Sequence, residues 1–319
     1  MNIGLHEAWK TLCAHDDILL LTHRLPDGDA VGSLFALYEA LSAMGKRVRY
    51  LLDTPPRDVN FLVREYTGDV FEPLFVVTVD VADRKLVYET PGTAYGDRVD
   101  LSIDHHASNN LFARQTLVLP EDAAAAEVLF ELFTFGGVRI TPRIADCLYT
   151  GIATDTGCFR YPNTTAATLR AAAALVDAGA DNGRINTDIF ETKSLAYVEF
   201  EASVMRSVQM FLDNRCAVAT IPLSLFASTG VTEADAKAVN ALPRQIEGVL
   251  AGVTVKERPE GGWRISVRTR APLSASEICK RFGGGGHALA AGCELDGDLQ
   301  TVVPQIVKAV EQELTSKNI

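Results

Sequence analysis

Phe75-Val76-Val77-Thr78-Val79-Asp80 is an unbroken apolar run that ends on an acid. Its length and β-branched content predict a strand buried on both faces, as parallel strands are. Downstream, residues 100–103 predict a shorter strand of the same kind, running into Asp104-His105-His106. Upstream, residues 18–22 predict another buried strand, followed by His23, and residues 47–52 a fourth. Residues 3–13 carry Leu5, Ala8, Trp9 and Leu12 at helical spacing, and residues 30–44 do the same with Leu34, Phe35, Tyr38 and Leu41. Strands alternating with helices predict an α/β fold with a parallel sheet covered on both sides. In such sheets ligands bind beyond the carboxyl ends of the strands. His23, Asp80 and Asp104 each follow a predicted strand, so a single site is expected there.

The pattern changes along the chain. Alanine-rich helices dominate residues 122–179, and residues 194–214 predict one long helix with Tyr197, Phe200, Val204, Val208 and Phe211 on its apolar face. From Cys216 onward the chain turns β-rich, with strands expected at 217–223, 248–256 and 263–269. A short helix at 276–282, the run Gly283-Gly284-Gly285-Gly286 and a final helix at 299–314 complete it. The expected organisation is a catalytic domain at 1–192, a linker helix at 193–214 and a smaller mixed α/β domain at 215–319.

Composition narrows the function. The chain has 319 residues, 47% hydrophobic, enough for substantial cores. A formal charge of -11 argues against coating long duplex DNA through backbone contacts. It leaves room for a short phosphorylated substrate, because bound cations reverse the sign locally. Six cysteines without a C-x-x-C pair read as buried thiols in a reducing compartment. With no signal-like start and no membrane-length apolar run, a cytoplasmic protein is expected. Oligomeric state is open, a homodimer included.

Four clusters carry the chemistry. In His23-Arg24-Leu25-Pro26-Asp27-Gly28-Asp29, Pro26 fixes the loop and Gly28 relaxes it, so an imidazole and two carboxylates can converge. A solvated turn with an acidic helix start would explain the same residues. In Asp104-His105-His106 one imidazole can ligate a metal while the next faces substrate, with the acid orienting an imidazole. Thr154-Asp155-Thr156-Gly157 adds Asp155, and Arg160 can reach a phosphate, while Asn163 and Thr164 read as the N-cap of a helix from Thr165. The glycine run followed by His287 can bring backbone N–H groups close to an anion, though a surface turn would look alike. Carboxylates and imidazoles without thiolates suit hard-to-borderline divalent metals. So many at strand ends suggest two metals sharing a ligand, the arrangement that clamps both oxygens of a phosphoryl displacement. Manganese suits the ligand set best, with magnesium or cobalt as alternatives.

Taken together, these motifs resemble the DHH phosphoesterases that combine a DHH domain with a DHH-associated C-terminal domain, among them the bacterial nanoRNases. The resemblance covers nearly the whole chain, through His23 to Ser33, Val79-Asp80 with Arg84, Ile103 to Asn109, Thr150 to Gly157 and Phe282 to Gly292. It implies that His23, Asp27 and Asp80 hold one metal, and that Asp29, Asp80, His105 and Asp155 hold the other, with Asp80 bridging. It places His106 at the scissile phosphate, Asp104 behind the histidine pair and Asn109 at the substrate. Arg268 would bind a substrate phosphate, while Gly283, Gly284, Gly285, Gly286 and His287 would clamp the substrate's far end, in a cleft between the domains. The implied activity is hydrolysis of short RNA oligonucleotides to mononucleotides, dephosphorylation of 3′-phosphoadenosine-5′-phosphate, or both. Cleavage of pApA-type dinucleotides and a non-catalytic nucleotide sensor are the alternatives. Thr269, where a serine is common, and Pro272-Leu273-Ser274 depart from the family pattern and leave substrate preference open.

Overall fold

The first unit of the chain, Met1–Thr192, is built on five short parallel strands. In chain order its elements are α1 (Leu5–Ala14), β1 (Ile18–Leu21), α2 (Gly28–Ala43), β2 (Val48–Leu51), β3 (Phe75–Val79), β4 (Leu101–Asp104) and β5 (Gln115–Val118). The helices α3 (Ala125–Phe135), α4 (Pro142–Asp155), α5 (Ala166–Asp177) and α6 (Asn182–Asn186) follow. The sheet order is β2-β1-β3-β4-β5, with every pairing parallel. This computed structural model describes residues 1–233 and 235–319, without the side chains of Asp235 and Lys237.

Period-two alternation sorts the strand side chains between two cores. Ile18, Leu20, Val77, Val79 and Ile103 join the apolar residues of α1 to α5 on one face. Leu19, Leu21 and Val76 pack on the other face against Val81, Val87, Val99 and Ala113. The second face is therefore covered by irregular chain and short 3₁₀ turns between β3 and β5. Both faces are dry, which is why the strands read as continuous apolar runs.

Helices α2 and α4 pack with unusually close backbones. A Cβ on Gly32 would lie 2.4 Å from the Cys147 carbonyl oxygen, and one on Gly151 would lie 2.6 Å from Asp29 Oδ1. Glycine at both positions lets the helices approach, and that approach brings Asp29 and Asp155 to the same end of the sheet.

The second unit, Lys193–Ile319, contains α7 (Leu195–Arg206), β6 (Gln209–Phe211), β7 (Cys216–Ile221), α8 (Leu223–Thr229), β8 (Ala251–Glu257) and β9 (Trp263–Thr269). It ends with α9 (Ala275–Lys280), β10 (Gly285–His287), β11 (Ala290–Leu295) and α10 (Leu299–Ser316). Its sheet runs β10-β11-β9-β8-β7-β6, antiparallel except for the β7–β8 pair. Ile265, Val267, Val253, Ala291 and Cys293 face α9 and α10. Phe200 and Val204 of α7 pack with Ala219 and Ile221 in a separate cluster.

Two expectations need correction. The helix expected over 194–214 ends at Arg206, and Gln209–Phe211 pairs instead with β7. Leu212, Asp213 and Asn214 then turn through three left-handed conformations, φ 54°, 54° and 65°. Helix α7 is thus part of the second unit's own core and not a free-standing linker. Of the six cysteines, all free, Cys13 is exposed and Cys158 half-buried, while the other four are buried. Among the described residues, no helix is long and apolar enough to cross a membrane.

Candidate metal centre

The strand order reverses between β1 and β3, which opens a crevice at the carboxyl edge of the sheet. Every expected metal ligand of the first unit lies there. His23 follows β1; its Nδ1 donates to the Arg24 carbonyl at 3.0 Å. That leaves Nε2 facing Asp80 Oδ2 at 3.4 Å and Asp27 Oδ1 at 3.9 Å. Asp27 is also the N-cap of α2, accepting from the Ala30 N–H at 3.1 Å, so capping and convergence on His23 coexist in one carboxylate.

Asp29 is fully buried and accepts from the N–H groups of Ala125 at 2.6 Å and Ala126 at 2.9 Å and from Ser33 Oγ at 3.1 Å. It caps α3 from outside, since the helix's own N-cap, Ala124, has no side chain for the task. Asp80 leaves β3 in a left-handed conformation, φ 57°, held by its N–H bond to the Ile103 carbonyl at 3.0 Å. Strain of that kind persists only where the surroundings impose it.

The two adjacent histidines diverge. His105 Nδ1 donates to the Asp122 carbonyl at 3.2 Å, and Nε2 points at Asp155 Oδ2, Asp80 Oδ1 and Asp29 Oδ2, at 3.4, 3.7 and 3.9 Å. His106 Nδ1 bonds Asp104 Oδ1 at 2.8 Å, and Asp104's other oxygen accepts from Asn109 Nδ2 at 2.6 Å. Among the described residues, three trios have donor atoms within 4.8 Å of one another: His23, Asp27 and Asp80; Asp29, His105 and Asp155; Asp80, His105 and His106. Asp80 Oδ1 and His105 Nε2 are buried with no hydrogen-bond partner. Buried polar atoms rarely go unpaired, and oxygen plus imidazole donors fit divalent cations, so these residues suit metal ions.

The electrostatics agree. Burial, then the charges of Asp80 and Asp27, hold the Asp29 carboxyl well above the usual range. Burial, then Asp29, Asp80 and Asp27, do the same to Asp155. Burial favours a neutral His23, but its bonds to Asp27 and Asp80 outweigh that and push it up to about 10. The Asp104 hydrogen bond pushes His106 up to about 9 against the opposing effect of burial. Without cations the His23 ring retains a proton that a metal would displace.

Other expected site residues stand differently. Asn109, expected at the substrate, has its amide committed: Nδ2 donates to Asp104 and to the Val81 carbonyl at 3.1 Å, and Oδ1 accepts from Leu111 N–H at 2.8 Å. Its contacts make it a support for Asp104. Arg160 donates to the Gly157 carbonyl and lies 6.0 Å from the Phe190 ring. The N-cap of α5 is Thr165, in a capping box with Thr168, while Asn163 instead bridges the carbonyls of Ala123 and Asp155, each at 3.2 Å. His15 stacks on Phe75 and His6 meets Phe135 edge-on, and neither is a member of these trios.

In the second unit Arg268 lies on β9, opposite Ala290 of β11 and Gly252 of β8. The glycine run is a hairpin strand, with Gly285, Gly286 and His287 pairing Gly292, Ala291 and Ala290. A Cβ on Gly284 would meet the Gly292 carbonyl oxygen at 2.2 Å, and Gly286 has φ 143°, so both are required by the backbone. Gly285 has open space around it and His287 is exposed, which leaves their faces accessible.

Sequence reasoning missed the Ala123-Ala124-Ala125-Ala126-Glu127 turn, whose backbone serves both Asp29 and Asn163. The signal was the alanine run itself, which admits close backbone approach.

Residues 17–152 match the DHH family, N-terminal domain, and residues 213–316 match the DHHA1 domain. The chain is 36% identical over 304 residues to the "Bifunctional oligoribonuclease and PAP phosphatase NrnA" of Thermus thermophilus, covering 93% of this chain and 90% of that one. An exopolyphosphatase-related protein from Bacteroides fragilis superimposes with a TM-score of 0.85 at 24% identity, over 97% and 95% of the two chains. RecJ of Thermus thermophilus, in complex with Mn2+, has a TM-score of 0.54 at 17% identity, over 97% of this chain and 54% of that one. The chain belongs to the DHH phosphoesterases that carry a DHHA1 domain.

Proposed function

We propose that this hydrolase is manganese-dependent and acts on short RNA oligonucleotides, on nucleoside bisphosphates of the 3′-phosphoadenosine-5′-phosphate type, or on both. The observation that carries the reading is the convergence of His23, His105 and His106 on the two oxygens of one buried carboxylate, Asp80. A carboxylate so placed suits the ligand shared by two cations, with His23 and Asp27 on one side and Asp29, His105 and Asp155 on the other. When bound, such a pair supplies Lewis-acid stabilisation of the attacking and leaving oxygens of an in-line displacement. The Thermus thermophilus relative is named for both activities, and the RecJ structure is a complex with Mn2+, which supports the choice of substrates and metal.

The chain's own groups divide the remaining work. Asp104, locked by Asn109, fixes the His106 ring through Nδ1 and leaves Nε2 to meet a phosphate oxygen or the leaving group. The Asp104 hydrogen bond favours the protonated ring, which suits it to donate a proton. Arg268, the exposed edge at Gly285 and His287 are the candidates in the second unit for binding a further substrate phosphate.

The test is a Mn2+-supplemented assay on RNA dinucleotides to pentamers, on 3′-phosphoadenosine-5′-phosphate and on pApA. The proposal expects turnover of at least one of the first two classes, abolished by chelation. Turnover of pApA alone would reassign the substrate, and no turnover with two bound metals would make the protein a sensor.

A further inference from the structure

Behind the ligands lies a side chain that no role described so far uses. Glu127, in the first turn of α3, is 2% exposed. Its Oε2 accepts from the Ala123 N–H at 2.9 Å and from Thr168 Oγ1 at 2.9 Å. Thr168 belongs to the capping box of α5 through Thr165. A buried carboxylate with two donors on one oxygen ties the turn before α3 to the start of α5.

That turn is where the ligand-orienting carbonyls reside. The Asp122 carbonyl receives the His105 Nδ1 proton and so decides that Nε2 is the lone-pair nitrogen facing Asp155 and Asp80. The next carbonyl, of Ala123, accepts from Asn163 Nδ2, which also donates to the carbonyl of Asp155. Two and three residues on, Ala125 and Ala126 donate to Asp29. Ala123, Ala124, Ala125 and Ala126 are all 1% exposed or less, so the backbone itself forms this hub. His105, Asp155 and Asp29, which make up one of the three trios, all hang on residues 122–126. His23 and Asp27 have no bond to it among the described residues.

We infer that Glu127 is a positioning residue for the His105–Asp155–Asp29 half of the metal centre, acting through the Asp122–Ala123 backbone. The inference rests on the two-metal reading above. Groups that orient metal ligands at one remove are worth about 10–100-fold in metal affinity or activity. Replacing Glu127 with Gln keeps the shape and an oxygen able to accept both bonds but removes the charge that makes them about twice as strong.

The experiment is calorimetric titration of the full-length, metal-stripped protein with Mn2+, with parallel steady-state kinetics and thermal melts. Wild type is expected to bind two Mn2+. Glu127→Gln should weaken one of the two by roughly tenfold and leave the other within twofold, with kcat reduced and KM little changed. Thr168→Val, which removes one of the two donors to Glu127, should weaken the same site and serves if Glu127→Gln does not fold. Unchanged affinities, or both sites weakened equally alongside a lowered Tm, would overturn the positioning role. Wild type taking up no second Mn2+ would instead sink the two-metal reading.

Discussion

His106 and His105 show how neighbouring residues of one type acquire different work from their hydrogen bonds. Asp104 holds His106 through Nδ1, whereas a carbonyl holds His105 and turns its Nε2 into the carboxylate cluster. His106→Ala should therefore retain both metals, measured by elemental analysis after gel filtration, and lose about 10²-fold or more in kcat, as expected when a proton donor is removed. Loss of metal with loss of rate would make His106 a ligand. Protonation gives a second prediction. His23 is raised to about 10, with Asp29 and Asp155 held above the usual carboxyl range, so the metal-free protein carries a proton on the His23 ring near neutrality that a cation would displace. Mn2+ uptake at pH 7 should release protons, and affinity should rise with pH. Calorimetry in buffers of different ionisation enthalpy reads this directly; zero proton release would contradict the ligand set. His23, Asp80 and His105 were legible as candidate ligands because each follows a strand, and Asp27, Asp29 and Asp155 through their motifs at the start of α2 and the end of α4. The role of Asn109 was not, because nothing in spacing tells that an amide is already spent on a neighbouring carboxylate.

At the scale of elements, the close crossing of α2 and α4 decides whether the ligands meet. A methyl group on Gly151 would sit 2.6 Å from both Asp29 Oδ1 and Ala126 Cβ. Gly151→Ala should cost about 1–3 kcal/mol in urea unfolding, the usual range for overpacking, and should weaken Mn2+ binding as well. Unaltered stability and metal binding would show that the helices can yield. Strands β1 and β3 and helices α2 and α10 were readable because each has its own periodicity and burial. The segment after α7 was not. Val208 and Phe211 continue the helical spacing of Tyr197, Phe200 and Val204, yet tertiary pairing with β7 overrides it. Asp213 and Asn214, residues at home in left-handed turns, were the local hint. Strand β5 was missed because Gln115 and Thr116 interrupt its apolar run, although Thr116 is buried.

Across the whole molecule, charge and chemistry point the same way. A chain with a net charge of -11 gains little from extra phosphates outside a cation-bearing site. We expect kcat/KM at fixed salt to be highest for RNA of about two to five nucleotides, because like-charge repulsion offsets longer contacts. A value climbing steadily with length would favour a processive exonuclease. The change of pattern at Cys216 pointed to a second domain, but the grouping of α7 with it was not legible, because only the second unit's core reveals that helix's buried face. Everything catalytic in this account depends on Asp80, which faces three imidazoles from a strained backbone position at the end of β3. The most direct measurement is therefore Mn2+ stoichiometry and RNA dinucleotide turnover for wild type and Asp80→Ala, with circular dichroism to confirm the fold. Two Mn2+ and turnover in the wild type, with turnover abolished and metal lost in a folded Asp80→Ala, is the predicted result; a metal-depleted Asp80→Ala protein that still cleaves at near wild-type rate would contradict it.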